Sequence, residues 1–184
     1  MNSVCGIDEA GRGSLAGPLV VAGVILQKEI IGVNDSKKLT PKKREELFEE
    51  IIQHSMGYKI VFIDNKIIDE IGISKSIQNA LCQIKETLKA DDYIFDGNTN
   101  YRFSWLKNLI KADLLIKEVS AASILAKVSR DRYMDSICDN YQNYNFKNHK
   151  GYGTKEHILE IEKFGLSDIH RVSFKLKKNQ PTLF

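Results

Sequence analysis

The chain is predicted to fold as an α/β protein, with a sheet of mixed strand direction covered by helices on both faces. Three observations carry this. Two apolar runs of strand length, residues 4–7 and 19–26, open the chain in hairpin-like succession with Gly17-Pro18 between them. Further short apolar runs then alternate with stretches whose apolar residues recur at helical spacing, the order that builds a sheet between helical layers. The length of 184 residues suits one domain, 1–184, with a sizeable core.

Taken in order, residues 4–7 form a short buried strand, with Asp8 and Glu9 expected just beyond its end. The valine-rich run 19–26 is a second core strand. Thr40-Pro41 supplies an N-cap and a first-turn proline. Leu47, Phe48, Ile51 and Ile52 share one face of the helix that follows, and Gly57 is expected to stop it. Residues 58–63 are a strand candidate. Ile73, Ile77, Leu81, Ile84 and Leu88 make a core-facing stripe on a longer helix, ended by Asp91-Asp92. Tyr93-Ile94-Phe95 is a short buried strand leading into Asp96, and Leu109-Ile110 suggests one more before Asp113. Ala121, Ile124, Leu125 and Val128 mark a helix whose small Ala-Ala-Ser start permits close packing on the sheet. From about residue 150 to 184 the chain reads as a helical, basic extension packed on the same domain. It has no repeat, low-complexity stretch or long linker.

The composition, 42% hydrophobic and 28% charged, is that of an ordinary globular protein and argues against a disordered or fibrous chain. No apolar run is long enough to span a membrane. Asp8 and Glu9 interrupt the start too early for a secretory signal, so a cytoplasmic protein is expected. Cys5, Cys82 and Cys138 are odd in number, widely spaced and without a C-x-x-C pair, and read as buried reduced thiols. The net charge of +3 decides nothing by itself. Its distribution leaves two readings open: Lys37-Lys38, Lys42-Lys43-Arg44, Lys147, Lys150 and Lys175, Lys177, Lys178 are either solvated helix ends or one footprint for a nucleic-acid backbone.

The most informative residues are Asp8-Glu9-Ala10-Gly11-Arg12-Gly13. Adjacent carboxylates at the end of a core strand are costly unless a cation binds them. Clustered carboxylate oxygens with no histidine or cysteine nearby fit magnesium or manganese better than zinc. Gly-Arg-Gly lets the backbone approach a ligand and offers one bidentate cation for phosphate. Asp96 and Asp113 each follow another predicted sheet element, so the four acids would meet in the crevice where open α/β sheets gather ligands. Two ions held there would serve an in-line phosphoryl displacement. The bland alternative is a set of solvated acidic turns.

The string DEAGRGSLAGPLVVAGVIL, residues 8–26, resembles the amino-terminal signature of the type 2 ribonucleases H, the bacterial ribonuclease HII family. Further blocks resemble that family in its order: NDSKKLTPKKRE (34–45), Asp96-Gly97, IKAD (110–113), SAASILAKVSRD (120–131), HKGYGTKEH (149–157) and HRVSF (170–174). Ser14 and Ala112 depart from the pattern, standing where relatives often carry proline and glycine.

The resemblance implies a ribonuclease H-like fold with a five-stranded mixed sheet. It also implies an endonuclease that cuts the RNA strand of RNA–DNA hybrids and single ribonucleotides embedded in duplex DNA, leaving 3′-hydroxyl and 5′-phosphate ends. Asp8, Glu9, Asp96 and Asp113 match the family's four catalytic, metal-holding acids, for two Mn2+ or Mg2+ ions. The family gives the Gly11-Arg12-Gly13 loop the task of sensing the ribose 2′-hydroxyl, and Tyr152 that of reading the RNA-to-DNA junction. Ser36, Lys37, Lys38, Thr154 and Arg171 are candidate phosphate contacts. His149, His157 and His170 read as packed or capping residues. A monomer is expected, and the tail QPTLF (180–184) is either a frayed apolar end or, by a weak resemblance, a sliding-clamp-binding sequence. Two competitors are a two-metal nuclease of the same fold acting on DNA alone, which would not need Gly-Arg-Gly and Tyr152, and a non-catalytic hybrid-binding module, which would be expected to lack one of the acids.

Overall fold

The structure, a computed structural model, describes residues 2–33 and 39–175. A five-stranded sheet of order β3-β2-β1-β4-β5 is built from β1 (Val4–Ala10), β2 (Leu19–Leu26), β3 (Ser55–Ile63), β4 (Asp92–Asp96) and β5 (Leu106–Leu109). β1, β2 and β3 run antiparallel in succession, whereas β4 and β5 lie parallel to β1, so the direction is mixed as expected.

Helices cover both faces. Against one face pack α2 (Asn65–Ile71) and α3 (Ile73–Thr87), whose Ile77, Leu81 and Ile84 join Cys5, Ile7, Val21 and Phe95 in one core. Against the other lie α1 (Pro41–His54) and α4 (Lys117–Ile137), whose Leu47, Ile51, Ala121, Ala122 and Leu125 bury Val20, Ala22 and Val24. The small residues opening α4 let it press onto the central strand. A Cβ on Gly6 would stand 2.1 Å from the Glu118 carbonyl carbon. A third, aromatic cluster forms at the carboxy-terminal end around α5 (Phe146–His149) and α6 (Lys155–Phe164).

Several boundaries differ from expectation. β1 does not stop at Ile7: its ladder with β2 runs on through Asp8↔Ala22, Glu9↔Val21 and Ala10↔Val20. The first helix starts as predicted, with Thr40 Oγ1 accepting from the Lys43 N–H, but ends at His54. Ser55 turns extended there and pairs with Leu26, so Gly57 lies inside β3. α2 was not foreseen; at seven residues it is too short to show a helical repeat. Only part of the carboxy-terminal extension is helical, and residues from 176 lie outside the described ones. All three cysteines are free, but only Cys5 is buried; Cys82 is exposed and Cys138 half-buried. Among the described residues no helix is long and apolar enough to cross a membrane.

Candidate active site

The site arises where two strands stop together unequally. β1 pairs with β4 only from Val4↔Asp92 to Ile7↔Phe95, while on its other side β2 continues to Ala10. Asp8 and Glu9 therefore extend past the last paired residue of β4. Alternation sends Asp8 to the α4 face and Glu9 to the opposite one, yet both open onto the same gap. Asp96, the last residue of β4, closes it from the neighbouring strand. The gap is an open cavity of about 880 Å3 whose lining includes Asp8, Glu9, Asp96, the Gly11-Arg12-Gly13 loop, Ser123, Lys127 and Tyr152.

The carboxylates are poorly solvated and repel one another. Burial, then the charges of Glu9 and Asp96, hold Asp8 well above the ordinary carboxylate range, against hydrogen bonds from Ser123 and the Glu9 N–H (2.7 Å). Burial raises Glu9 to about 7, with Asp96 adding to it and Arg12 opposing it from 3.5 Å. Glu9 Oε2 is buried and has no hydrogen-bond partner among the described residues. An all-oxygen, mutually repelling donor set with an orphaned buried oxygen suits a hard divalent cation. Among the described residues no three His, Cys, Asp or Glu side chains already close around an ion position.

Asp113 lies elsewhere than expected. It is not at a strand end but on a 3-10 turn, Ala112–Leu114, buried at 5% exposure and absent from the cavity lining. The same turn orients Asp96, because the Ala112 N–H donates to Asp96 Oδ1 at 3.1 Å. Departure from glycine at 112 is tolerated here: the left-handed residue is Lys111, one position earlier.

Tyr152 stands on the cavity rim over two cations, with the Arg130 guanidinium 4.8 Å and Lys127 Nζ 5.5 Å from its ring centroid. Arg130 is fully buried and donates to the carbonyls of Ala16, Pro18 and Lys150, tying the segment after the glycine loop to the turn before Tyr152. Gly11, at φ +84°, is required by this contact: a Cβ there would meet Arg130 Nε at 2.1 Å. A Cβ on Gly13 would meet nothing within 4 Å among the described residues, so no packing among them demands glycine there.

Arg171 corrects the sequence reading. At 2% exposure it is no surface cation; its guanidinium donates to the carbonyls of Gly17 (2.9 and 3.1 Å) and Arg12 (3.1 Å) and so braces the loop from below. Thr154 caps α6, accepting from the His157 N–H at 3.2 Å, and is exposed. Ser36, Lys37 and Lys38 lie outside the described residues. Sequence reasoning overlooked Ser123, Lys127 and Arg130. Their spacing of four and then three residues puts all three on one face of α4, and that spacing was the available signal.

Comparison with known proteins shows the family to which the chain belongs. The family model described as Ribonuclease HII matches residues 5–177. A Ribonuclease HII of Aliarcobacter butzleri is 59% identical over 179 residues, spanning 96% of this chain and 93% of that one. Among solved structures, the RNase HII in the PCNA:RNase HII complex from Archaeoglobus fulgidus superposes with a TM-score of 0.81 at 28% identity, covering 97% of this chain and 98% of the other. The ribonuclease H2 from Pyrococcus horikoshii follows at 0.78 and 27%, covering 94% of each.

Proposed function

Because this chain belongs to the ribonuclease HII family it is an endoribonuclease of the ribonuclease H type, and we propose that it hydrolyses the RNA strand of RNA–DNA hybrids and also cuts at single ribonucleotides embedded in duplex DNA. The products are 3′-hydroxyl and 5′-phosphate ends. The observation that carries the reading is the convergence of Asp8, Glu9 and Asp96 on one cavity that the glycine loop and Tyr152 share.

Asp8, Glu9 and Asp96 are the residues to hold two divalent ions, Mg2+ or Mn2+, with Asp113 on the adjoining turn as the outermost of the four acids. Such ions, when bound, supply an activated water and stabilise the leaving oxygen. The rest of the work falls to the chain's own groups. Arg12, 44% exposed at its side chain, stands beside the cavity where it can exchange Glu9 for a phosphate oxygen. Main-chain groups of Gly11 to Gly13 approach the sugar and sense its 2′-hydroxyl, the feature that separates RNA from DNA; the open space at Gly13 is consistent with that approach. Tyr152 stacks on the deoxyribose or base beyond the junction. Lys127, Thr154 and, outside the described residues, Ser36, Lys37 and Lys38 hold phosphates.

The protein is proposed to act as a monomeric, cytoplasmic unit. Its 180–184 tail is proposed as a sliding-clamp contact, a reading supported by the Archaeoglobus fulgidus relative having been solved with PCNA. The test of the activity is cleavage, in Mg2+ and in Mn2+, of a duplex with one ribonucleotide, a uniform RNA–DNA hybrid and an all-DNA control. The first two should be cut and the control left intact, and Asp8→Asn should bind hybrid without turnover. Efficient cutting of the control would replace the reading with a DNA nuclease, and no cutting with manganese present would leave a binding module.

A further inference from the structure

Three histidines that the site does not use lie buried behind Tyr152. His149, His157 and His170 are 5%, 0% and 1% exposed, and the rings of His149 and His157 stack with centroids 4.2 Å apart. Their contacts leave one choice of proton positions. His157 Nδ1 lies 3.0 Å from the Tyr152 carbonyl oxygen, which can only accept, so the proton is on Nδ1 and Nε2 is bare. His170 Nδ1 lies 2.9 Å from the Ser167 N–H, which can only donate, so His170 is bare at Nδ1 and protonated at Nε2. Those two assignments, made from opposite ends, meet correctly in the middle: His170 Nε2 faces His157 Nε2 at 3.0 Å, donor to acceptor. His149 is fixed in the same manner. Its Nδ1 accepts from the Gly151 N–H at 3.2 Å, and its Nε2 donates to Glu160 at 2.9 Å.

We infer that His157 and His170 are positioning residues for junction recognition: a one-way hydrogen-bond chain from Ser167 through His170 and His157 to the Tyr152 carbonyl fixes where the Tyr152 ring stands over the cavity. The inference rests on Tyr152 reading the junction, as proposed above. The chain requires His157 in the Nδ1–H form and every ring neutral, since one further proton on His157 or His170 would set two N–H groups face to face. Burial favours that neutral state, lowering His157 to about 4 and His170 below its ordinary value, although Glu160 and Asp168 pull the other way. The carbonyl held by His157 also accepts from the Thr154 N–H at 2.8 Å, and the Tyr152 N–H donates to the His149 carbonyl. The tyrosine's backbone is thus clamped on both sides while its ring stays half-buried at the rim.

Two measurements test this. Nitrogen-15 correlation spectra of the intact protein at neutral pH should show His157 in the Nδ1–H tautomer and His149 and His170 as Nε2–H; an Nε2–H or doubly protonated His157 overturns the chain. Kinetically, His157→Asn keeps a donor near the Nδ1 position and should preserve the ratio of single-ribonucleotide to uniform-hybrid cleavage. His157→Gln moves the amide out towards the Nε2 position and should lower that ratio about fivefold, the worth of one hydrogen bond, with no further loss in a Tyr152→Ala background. Equal loss on both substrates for Asn and Gln alike would make the histidines packing residues only. If Tyr152→Ala alone leaves the ratio unchanged, it is the reading of Tyr152 that fails, while the tautomers still judge the chain.

Discussion

Replacing Glu9 with glutamine should stabilise the ion-free protein in alkaline solution while destroying activity. In the folded chain the Glu9 carboxyl is raised from 4.5 to about 7 by burial and by Asp96. An unfolded chain releases that proton near 4.5, whereas the folded one keeps it until about 7. Between those values the folded state holds more protons, so stability falls as pH rises through the window and the full penalty is present above it. At about 1.4 kcal/mol for each tenfold change in proton affinity, the penalty is about 3 kcal/mol at pH 8. Glutamine removes it, and the ion pair with Arg12 adds no separate loss, because Arg12 already holds the Glu9 carboxyl below where burial and Asp96 alone would put it. The gain should therefore be about 3 kcal/mol at pH 8, vanishing near pH 4.5. Urea unfolding in a chelating buffer at the two pH values measures it, and adding Mn2+ should raise the wild-type midpoint at pH 8 far more than that of Glu9→Gln. No gain at pH 8, or an equal gain at both pH values, would mean that Glu9 is not the strained carboxylate described here.

Three further outcomes are expected. Tyr152→Ala should lose about 1–3 kcal/mol of interaction on single-ribonucleotide duplexes and less on uniform hybrids; wild-type rates on both, with the circular dichroism unchanged, would leave the ring a purely structural part. Arg171→Gln, which removes the charge and cannot span both carbonyls, should lower stability by about 2 kcal/mol while leaving the salt dependence of hybrid binding unaltered. A binding slope reduced by about one would restore Arg171 as a phosphate contact. Asp113→Asn should damage cleavage less than Asp8→Asn and recover at high Mn2+, and normal kinetics at low metal would remove Asp113 from the acidic set.

The parts of the molecule legible in the sequence are those whose cause is local. Thr40-Pro41 announces the start of α1 because cap and first turn are neighbours in the chain, and the continuous apolar run of β2 announces a strand buried on both faces. Asp8 and Glu9 stood out through the family resemblance and the cost of burying paired acids. What escaped was set by distant partners. β1 runs three residues further than its apolar pattern because β2 continues alongside it. Gly57 looked like a helix stop, but it lies in β3, where a Cβ would sit 3.1 Å from the Leu88 side chain. Arg171 looked like a surface cation, since arginines are seldom buried; only the fold shows two carbonyls waiting beneath the loop. The orientation of Ser123 and Lys127 towards the cavity, and of Arg130 towards the carbonyls behind it, likewise depends on where α4 crosses the sheet.

The uneven end of the β1–β4 pairing has a further consequence, for solubility. Residues 8–10 are central strand on one side and open edge on the other, and an open edge is a template on which a second chain can add a strand. Here the N–H of Glu9 is already taken by the carboxyl of Asp8, and a strand that came to pair would have to bury these poorly solvated acids further, at a cost in desolvation. The acids that suit the gap to a cation also keep it from becoming an aggregation seam. An enzyme stripped of those charges by simultaneous Asp8→Asn and Glu9→Gln should therefore be not only inactive but more prone to self-associate on partial unfolding, which light scattering during thermal ramps would detect.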